Sequence, residues 1–404
     1  MLSLEEAQVA IMSAVRPATQ RESVAIADAA GRTLAQAATA TVSNPGFDNS
    51  AMDGYAVNTA ELIAQDFVLP LVGESSCGDQ PGTLTPNSTM RIFTGAPVPR
   101  GADAVVIQED IKSEGGKVIF PHTVQTLQNI RHTGEDFKTG DTFFKTGHRL
   151  TAADLALLSS AGVAHVSVWA RPRALVIATG NELISPGDPL APGQIYESNR
   201  LATIVMLREL GVDVTDGGCV RDDINAVRDV LAKADEYDFV VTSGGVSVGD
   251  HDLVKKVFSE IGEIEFWKVK IKPGKPVAFG KIGDRSHFLG LPGNPVSSLV
   301  TFRLFLVPAI HAWHHASYRQ PEFNAVLGND YSRHAGRTEF LRAHLEVDGD
   351  GRIHATILKG QGSHMLGTLA QANGLVRIES DTSELKQNDA VRVMMLRDAL
   401  PAGE

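Results

Sequence analysis

The sequence predicts a multidomain protein in which an α/β domain is joined to separate β domains. Three features predict this. The chain has 404 residues, too many for one ordinary hydrophobic core, so two to four domains are expected. From 172 to 311, short apolar runs alternate with longer helical patterns. Both flanks carry short β-rich runs broken by glycine and proline turns.

Taken in order, residues 3–16 read as an amphipathic helix. Ser3 and Glu6 form a capping box, and Leu4, Ile11 and Val15 repeat at helical spacing. Residues 22–44 are rich in Ala and Thr, with a helix expected near 27–36. Runs at 67–72, 90–93, 104–107 and 117–120 make 45–145 a small β domain. Helix returns at 151–162, with Thr151 and Asp154 at its start, Leu155 and Leu158 as the apolar stripe and Gly162 at its end. Segments 1–44 and 146–170 therefore read as one discontinuous helical domain with the β domain inserted. Within 171–317, strands are expected at 173–179, 212–216, 238–242, 277–280 and 287–291, and helices at 197–210, 223–235, 251–261 and 296–311. That alternation predicts a mostly parallel sheet covered on both faces, with ligands at the carboxyl ends of its strands. Residues 318–404 turn β-rich again, at 324–327, 339–345, 353–358, 374–378 and 390–395, which reads as a small closed barrel or sandwich.

Composition excludes several function classes. Hydrophobic residues make up 43% and charged residues 21%, the balance of a soluble globular protein. No apolar run reaches the roughly 20 residues of a membrane span. The start, MLSLEEAQVAIMSAVRP, lacks a basic head and a continuous apolar stretch, so no export signal is read there and the cytoplasm is expected. Cys77 and Cys219 are far apart without metal-ligand spacing, which argues against a zinc site or a disulfide framework and for small buried hydrophobes. A net charge of −11 disfavours nucleic acid and anionic membranes as partners. An anionic substrate would need a local cluster of cations and backbone N–H groups, or a bridging metal.

Three loops leave the carboxyl ends of strands in the α/β segment: Thr179-Gly180-Asn181-Glu182, Ser243 to Asp250, and Pro292-Gly293-Asn294-Pro295. The second holds Gly244, Gly245, Ser247 and Gly249. Its glycines let the backbone approach a ligand, and a following helix start would favour an oxyanion; a tight turn needed only for packing is the other reading. Pro292 and Pro295 stiffen the third loop and fix a helix start. Glu182, Asp222, Asp250 and Asp252 recur at the same end of the sheet. Converging carboxylates beside phosphates suit Mg²⁺, while N-capping would also explain Asp222 and Asp250. Lys268, Lys270 and Lys272, with Lys275 close by, would share one face of a strand. That pattern fits phosphate binding or a solvated edge strand.

Together these residues resemble the MoeA family of molybdopterin molybdenumtransferases, related to the E domain of gephyrin. The resemblance covers nearly the whole chain. It rests on PGFDNSAMDGYAV (45–57), RIFTGAPVPRGADAVV (91–106), NIRHTGED (129–136), IYESNR (195–200), TSGGVSVGDHD (242–252), WKVKIKPGKPVAFG (267–280) and GLPGNPVS (290–297). It implies a homodimer of four-domain chains: a discontinuous linker and dimerisation domain, the small β domain, a three-layer α/β domain of the MogA/MoaB type, and a C-terminal β-barrel. It implies insertion of molybdate into adenylylated molybdopterin with release of AMP, Mg²⁺ as cofactor, and an active cleft between the β domain of one subunit and the α/β domain of the other. A MogA-type enzyme would supply the substrate and apo-molybdoenzymes would receive the product. The implied reacting positions are Asp53, Thr94, Asp136, Glu182, Asp222 and Asp252, the last three as metal ligands. Arg131, Gly244, Gly245, Ser247, Gly249, Lys268, Lys272, Lys275, Pro292, Pro295 and Ser363 would bind substrates, with molybdate near Lys275 and Ser363. Asn181 stands where the family usually has an acid, and His132 and Thr133 replace positions that can be basic. The alternative activity is adenylylation of molybdopterin, as in MogA; an inactive scaffold is the other rival.

Overall fold

A computed structural model describes residues 1–245, 257 and 262–397. The chain divides into two compact units. One is Glu22–Val168; the other joins Met1–Arg21 to Trp169–Glu404.

The Glu22–Val168 unit is built on a six-stranded sheet. Its order is Ala104–Ile107, Gly54–Val57, Thr89–Ile92, Val68–Ser75, Lys117–Ile119 and Lys112–Glu114. Val57, Leu62, Leu69, Val106, Val118 and Phe120 form its core. The Ala152–Ser160 helix starts with both bonds of the Thr151–Asp154 capping box, and Leu158 packs with Leu34, Leu150 and Val168.

The helix expected near 27–36 does not form. Only a 3-10 turn, Ile26–Asp28, is present. Gly31 then takes φ +71°, a conformation that ends helices. Beyond it the chain is extended, with Leu34 N–H donating to the His148 carbonyl and Leu150 N–H to that of Arg32. Pairing across 118 residues of sequence overrides the local alanine content.

In the larger unit the central sheet runs Asp213–Val220, Arg173–Thr179, Phe239–Ser243, Ser286–Leu291, Pro276–Ile282 and Gly262–Lys268. The first four strands are parallel, and the last two add antiparallel. The sheet is thus mixed, and its edge strand Gly262–Lys268, where Glu263 and Glu265 alternate with apolar residues, is not among the strands expected. Asn199–Glu209 and Ile224–Leu231 are helices; the helix expected at 251–261 lies outside the described residues. The helical run Pro295–Trp313 is long and apolar enough to cross a membrane by composition, yet 72% of it is buried in the fold. It passes through a π turn at Phe302–Leu306 just before Pro308, where the missing N–H forces a local change of hydrogen bonding.

Five strands close the C-terminal barrel in the order Thr338–Val347, Ile353–Ile357, Phe323–Leu327, Ala390–Met395 and Gly374–Ile378, the last pairing back to the first. Closure decides between barrel and sandwich, and it removes free sheet edges. Leu341, Leu345, Ala355, Val376 and Val393 fill the interior.

The first helix, Leu4–Ala14, carries the Ser3–Glu6 capping box. Just beyond it, Arg16 N–H donates to Nε2 of His287 at 3.0 Å, and His287 is buried on the sheet. Burial pushes its imidazole down to about 4. The folded protein therefore holds it neutral while an unfolded chain protonates it below about pH 6.5. Stability is complete above that pH and falls as pH drops toward 4, by up to roughly 3 kcal/mol. We expect H287Q, which can still accept the Arg16 bond, to flatten this acid slope in denaturant titrations; an unaltered slope would assign the loss to other groups.

Candidate functional site

The carboxyl ends of the four parallel strands lie in one row. Thr179 pairs with Val220, Ala178 with Ser243, and Ser243 with Leu291. Their loops touch in turn. Asn181 N–H donates to the Asp222 carboxylate at 3.3 Å, and Asp222 N–H returns a 3.1 Å bond to the Asn181 side-chain oxygen. Gly244 N–H donates to the Leu291 carbonyl at 3.0 Å. A Cβ on Gly244 would fall 2.9 Å from the Thr179 carbonyl oxygen, and its φ is +88°, so glycine is required there. Asn199 donates from its amide to the Gly293 carbonyl at 2.6 Å.

Capping does not explain Asp222. The helix Ile224–Leu231 is capped by Asp223, which accepts from Asn225 N–H and Ala226 N–H. Asp222 instead belongs to the loop cluster, with Asn181 as its reciprocal partner. The amide at 181 thus keeps a backbone-fixing bond while carrying no charge of its own. Glu182 folds its carboxylate over Gly180, within 3 Å of where a Cβ would stand.

The lysine run packs against the helix that follows the third loop. It is not one strand: Lys268 ends Gly262–Lys268, whereas Ile271–Lys272 pairs with the barrel strand at Thr338 and Glu339. Lys268, Lys270 and Lys272 are nevertheless all exposed while Val269 and Ile271 are buried. Gly274 packs against Thr301, on the helix that Pro295 opens. The Ser363 carbonyl accepts Val296 N–H at 3.0 Å in that helix's first turn. Ser363 is thus bonded to the first turn of the helix that Pro295 opens, while the turn after Lys272 packs along the same helix toward Thr301, its last residue, with Lys275 exposed.

The sequence did not point to Arg342, which is 1% exposed. Its guanidinium donates to the carbonyls of Gly360, Gly362 and Met365 and to the Gln361 side chain, at 3.0–3.3 Å. It anchors the loop that carries Ser363. Alternation along FLRAHL gives no sign of this, because the strand is buried on both faces.

In the other unit, the runs at 45–57, 91–98 and 129–136 converge. Ile130–Arg131 pairs with Asn49–Ser50. Asp53 accepts Thr94 N–H at 2.7 Å and the Thr94 hydroxyl at 2.9 Å. These bonds, with Arg91 nearby, hold its carboxyl below the usual range. Asp136 accepts from the Asn44 amide at 3.1 Å, and Arg131 is exposed. Asp48, also unmarked by sequence, accepts Thr133 N–H at 2.7 Å, the Thr133 hydroxyl at 2.8 Å and His132 at 3.2 Å. Residues 132 and 133 therefore serve a turn built on a carboxylate. Cys77 is exposed and Cys219 half-buried, against the expectation of buried thiols: Cys77 sits in a surface turn and donates to the Thr94 carbonyl.

Ser247, Gly249, Asp250 and Asp252 lie outside the described residues. Among the described residues no group of three or more metal-ligating side chains gathers. Glu182 and Asp222 are hard oxygen donors on adjoining loops, and Mg²⁺ is commonly held by one or two carboxylates plus substrate oxygens, so the pair fits that ion.

The α/β domain whose strand-end loops bear these acids and glycines matches the model of a probable molybdopterin binding domain, which makes the chain a protein of the molybdopterin-binding class. The family models for the MoeA N-terminal region (domain I and II), a probable molybdopterin binding domain and the MoeA C-terminal region (domain IV) match residues 2–162, 175–312 and 324–396. A molybdopterin molybdenumtransferase of Haemophilus influenzae is 36% identical, covering 97% of this chain and 98% of its own. One from Bacillus subtilis is 34% identical over 94% of this chain and 90% of its own. The crystal structure of a molybdopterin biosynthesis MoeA protein from Pyrococcus horikoshii superposes with a TM-score of 0.83 at 31% identity, covering 99% of this chain and 100% of that one. The chain belongs to the MoeA family of molybdopterin molybdenumtransferases.

Proposed function

We propose that the chain inserts molybdenum from molybdate into molybdopterin supplied in adenylylated form, releasing AMP. The observation that carries this reading is the row of strand-end loops bearing Glu182, Asp222 and Gly244, beside the helix opened by Pro295, against which Ser363 and the Lys272–Lys275 turn also pack. An anionic nucleotide-bearing pterin needs fixed cations and glycine-turn amides; an oxyanion needs donors beside them. Lys268, Lys272 and Lys275 would hold phosphate oxygens, with the loop after Ser243 supplying amides. Ser363 would donate to molybdate. Glu182 and Asp222, with Asp252, would hold Mg²⁺, which would supply positive charge beside the phosphate oxygens. The protein's part is then mainly to bind and orient, with no covalent intermediate. Asp53, fixed by Thr94, and Arg131 and Asp136 would serve the same reaction.

The MogA-type alternative predicts ATP consumption with metal-free molybdopterin and no need for molybdate. Incubation with adenylylated molybdopterin, varying molybdate and Mg²⁺, separates the two: AMP release that requires both supports insertion. An adenylylating enzyme would stand upstream and apo-molybdoenzymes downstream, in the cytoplasm.

The same proposal includes a homodimer. Ile195, Tyr196, Leu201 and Val205 are exposed apolar side chains on neighbouring stretches of the larger unit, more than a lone surface residue would explain. Sedimentation of Leu201→Asp should show monomer where the native chain shows dimer; an unshifted species would move the interface elsewhere.

A further inference from the structure

Lys272 is not a free cation. Its Nζ lies 2.6 Å from Oε1 of Glu339, and Glu339 is buried while Lys272 remains half-exposed. The pair is set by the backbone, since Lys272 and Glu339 are register partners in the parallel pairing of Ile271–Lys272 with the barrel strand Thr338–Val347. Thr338 N–H donates to the Lys270 carbonyl at 2.9 Å, fixing the same junction. On its other side, Oε2 of Glu339 faces Arg333 at 3.4 Å. Arg333 also donates to the carbonyls of Thr382, Arg337 and Glu379. The carboxylate is therefore held from behind, and the lysine is held by the carboxylate.

A lysine side chain ordinarily samples many rotamers, and ordering it costs entropy at the moment a ligand binds. An anchored lysine has met that cost in advance. Its head still presents remaining N–H donors to solvent, because half of the side chain is exposed. We propose that Glu339 is a positioning residue that holds the Lys272 ammonium where it meets an anionic oxygen of the substrate, so that the barrel domain contributes to substrate binding through this pair. The idea rests on the reading of Lys272 as a phosphate-binding lysine of the insertion reaction.

The test measures AMP release by the full-length enzyme against adenylylated molybdopterin at saturating molybdate. Glu339→Gln keeps the side-chain shape and removes the charge. We expect KM to rise about tenfold with kcat within about threefold, the pattern of lost ground-state binding. In a Lys272→Met background the same change should add nothing, since Glu339 would act only through that lysine. An unchanged KM in Glu339→Gln, or losses that multiply in the double variant, would overturn the proposal. Should Glu339→Gln fail to fold, pulse acetylation of the native enzyme read by mass spectrometry decides. Adenylylated molybdopterin should protect Lys272, and equal labelling with and without it would overturn the proposal. Wild-type turnover is measured first. Its absence refutes the insertion reading, whereas normal turnover with an unaffected Glu339→Gln refutes only the role of Glu339.

Discussion

Asp53→Ala should reduce AMP release by about a hundredfold or more while leaving thermal stability nearly unchanged. The magnitude is that of removing one preorganised charged group from an active site. The small stability effect follows from the site: Asp53 is only half-buried and its donors are both on Thr94, so its loss opens no large cavity and strands no buried charge. Thr94→Val removes only the hydroxyl bond and should cost less, while moving the pH dependence in a definite direction. Thr94 keeps the Asp53 carboxyl below its ordinary range. Losing one of its donors lets that value rise, so the acid limb of the rate profile should move to higher pH in Thr94→Val. A limb that stays in place, or an Asp53→Ala enzyme with normal turnover, would remove Asp53 from the reaction.

Arg342→Met should be the most destabilising single change among the site residues, by roughly 3–5 kcal/mol in denaturant titration. The guanidinium is buried and meets neutral acceptors throughout: the carbonyls of Gly360, Gly362 and Met365 and the oxygen of Gln361. Burial pushes its own ionisation down, yet its donors meet three carbonyls and one side-chain oxygen of the same loop. Methionine fills much of the volume but removes the guanidinium donors from the Gly360 and Met365 carbonyls and leaves Gly362 with only the Met365 N–H. The functional consequence follows from position. The loop carries Ser363, whose carbonyl accepts from Val296 at the helix start. Any Arg342→Met protein that still folds should show a raised KM for molybdate with little change in KM for the pterin. Equal effects on both would mean that the loop serves the whole cleft instead of the oxyanion.

Local physics made much of the fold legible. The run RALVIAT is apolar between Arg173 and Thr179 and is the strand Arg173–Thr179 residue for residue. Ser3–Glu6 and Thr151–Asp154 announced two helix starts because a capping box needs only four residues of sequence. The failures are tertiary. Helix propensity near 27–36 lost to pairing with 148–150, a partner over a hundred residues away. Aspartates 222 and 223 are adjacent, and sequence could not tell which one caps; the structure gives the cap to Asp223 and frees Asp222 for the loop cluster. Candidate residues that stand inside long motifs could be named in advance. Glu339 and Arg342 stand outside those motifs, and Asp48, though inside one, is not singled out by it, because each acts through backbone groups or side chains that only folding brings near.

The central claim is that one chain holds a nucleotide-tagged pterin beside a metal oxyanion and joins them. Release of AMP from adenylylated molybdopterin by the purified chain, followed over a grid of molybdate and Mg²⁺ concentrations, tests it most directly. The account predicts release that needs both and stops when either is withdrawn. Consumption of ATP with metal-free molybdopterin, in the absence of molybdate, would contradict it.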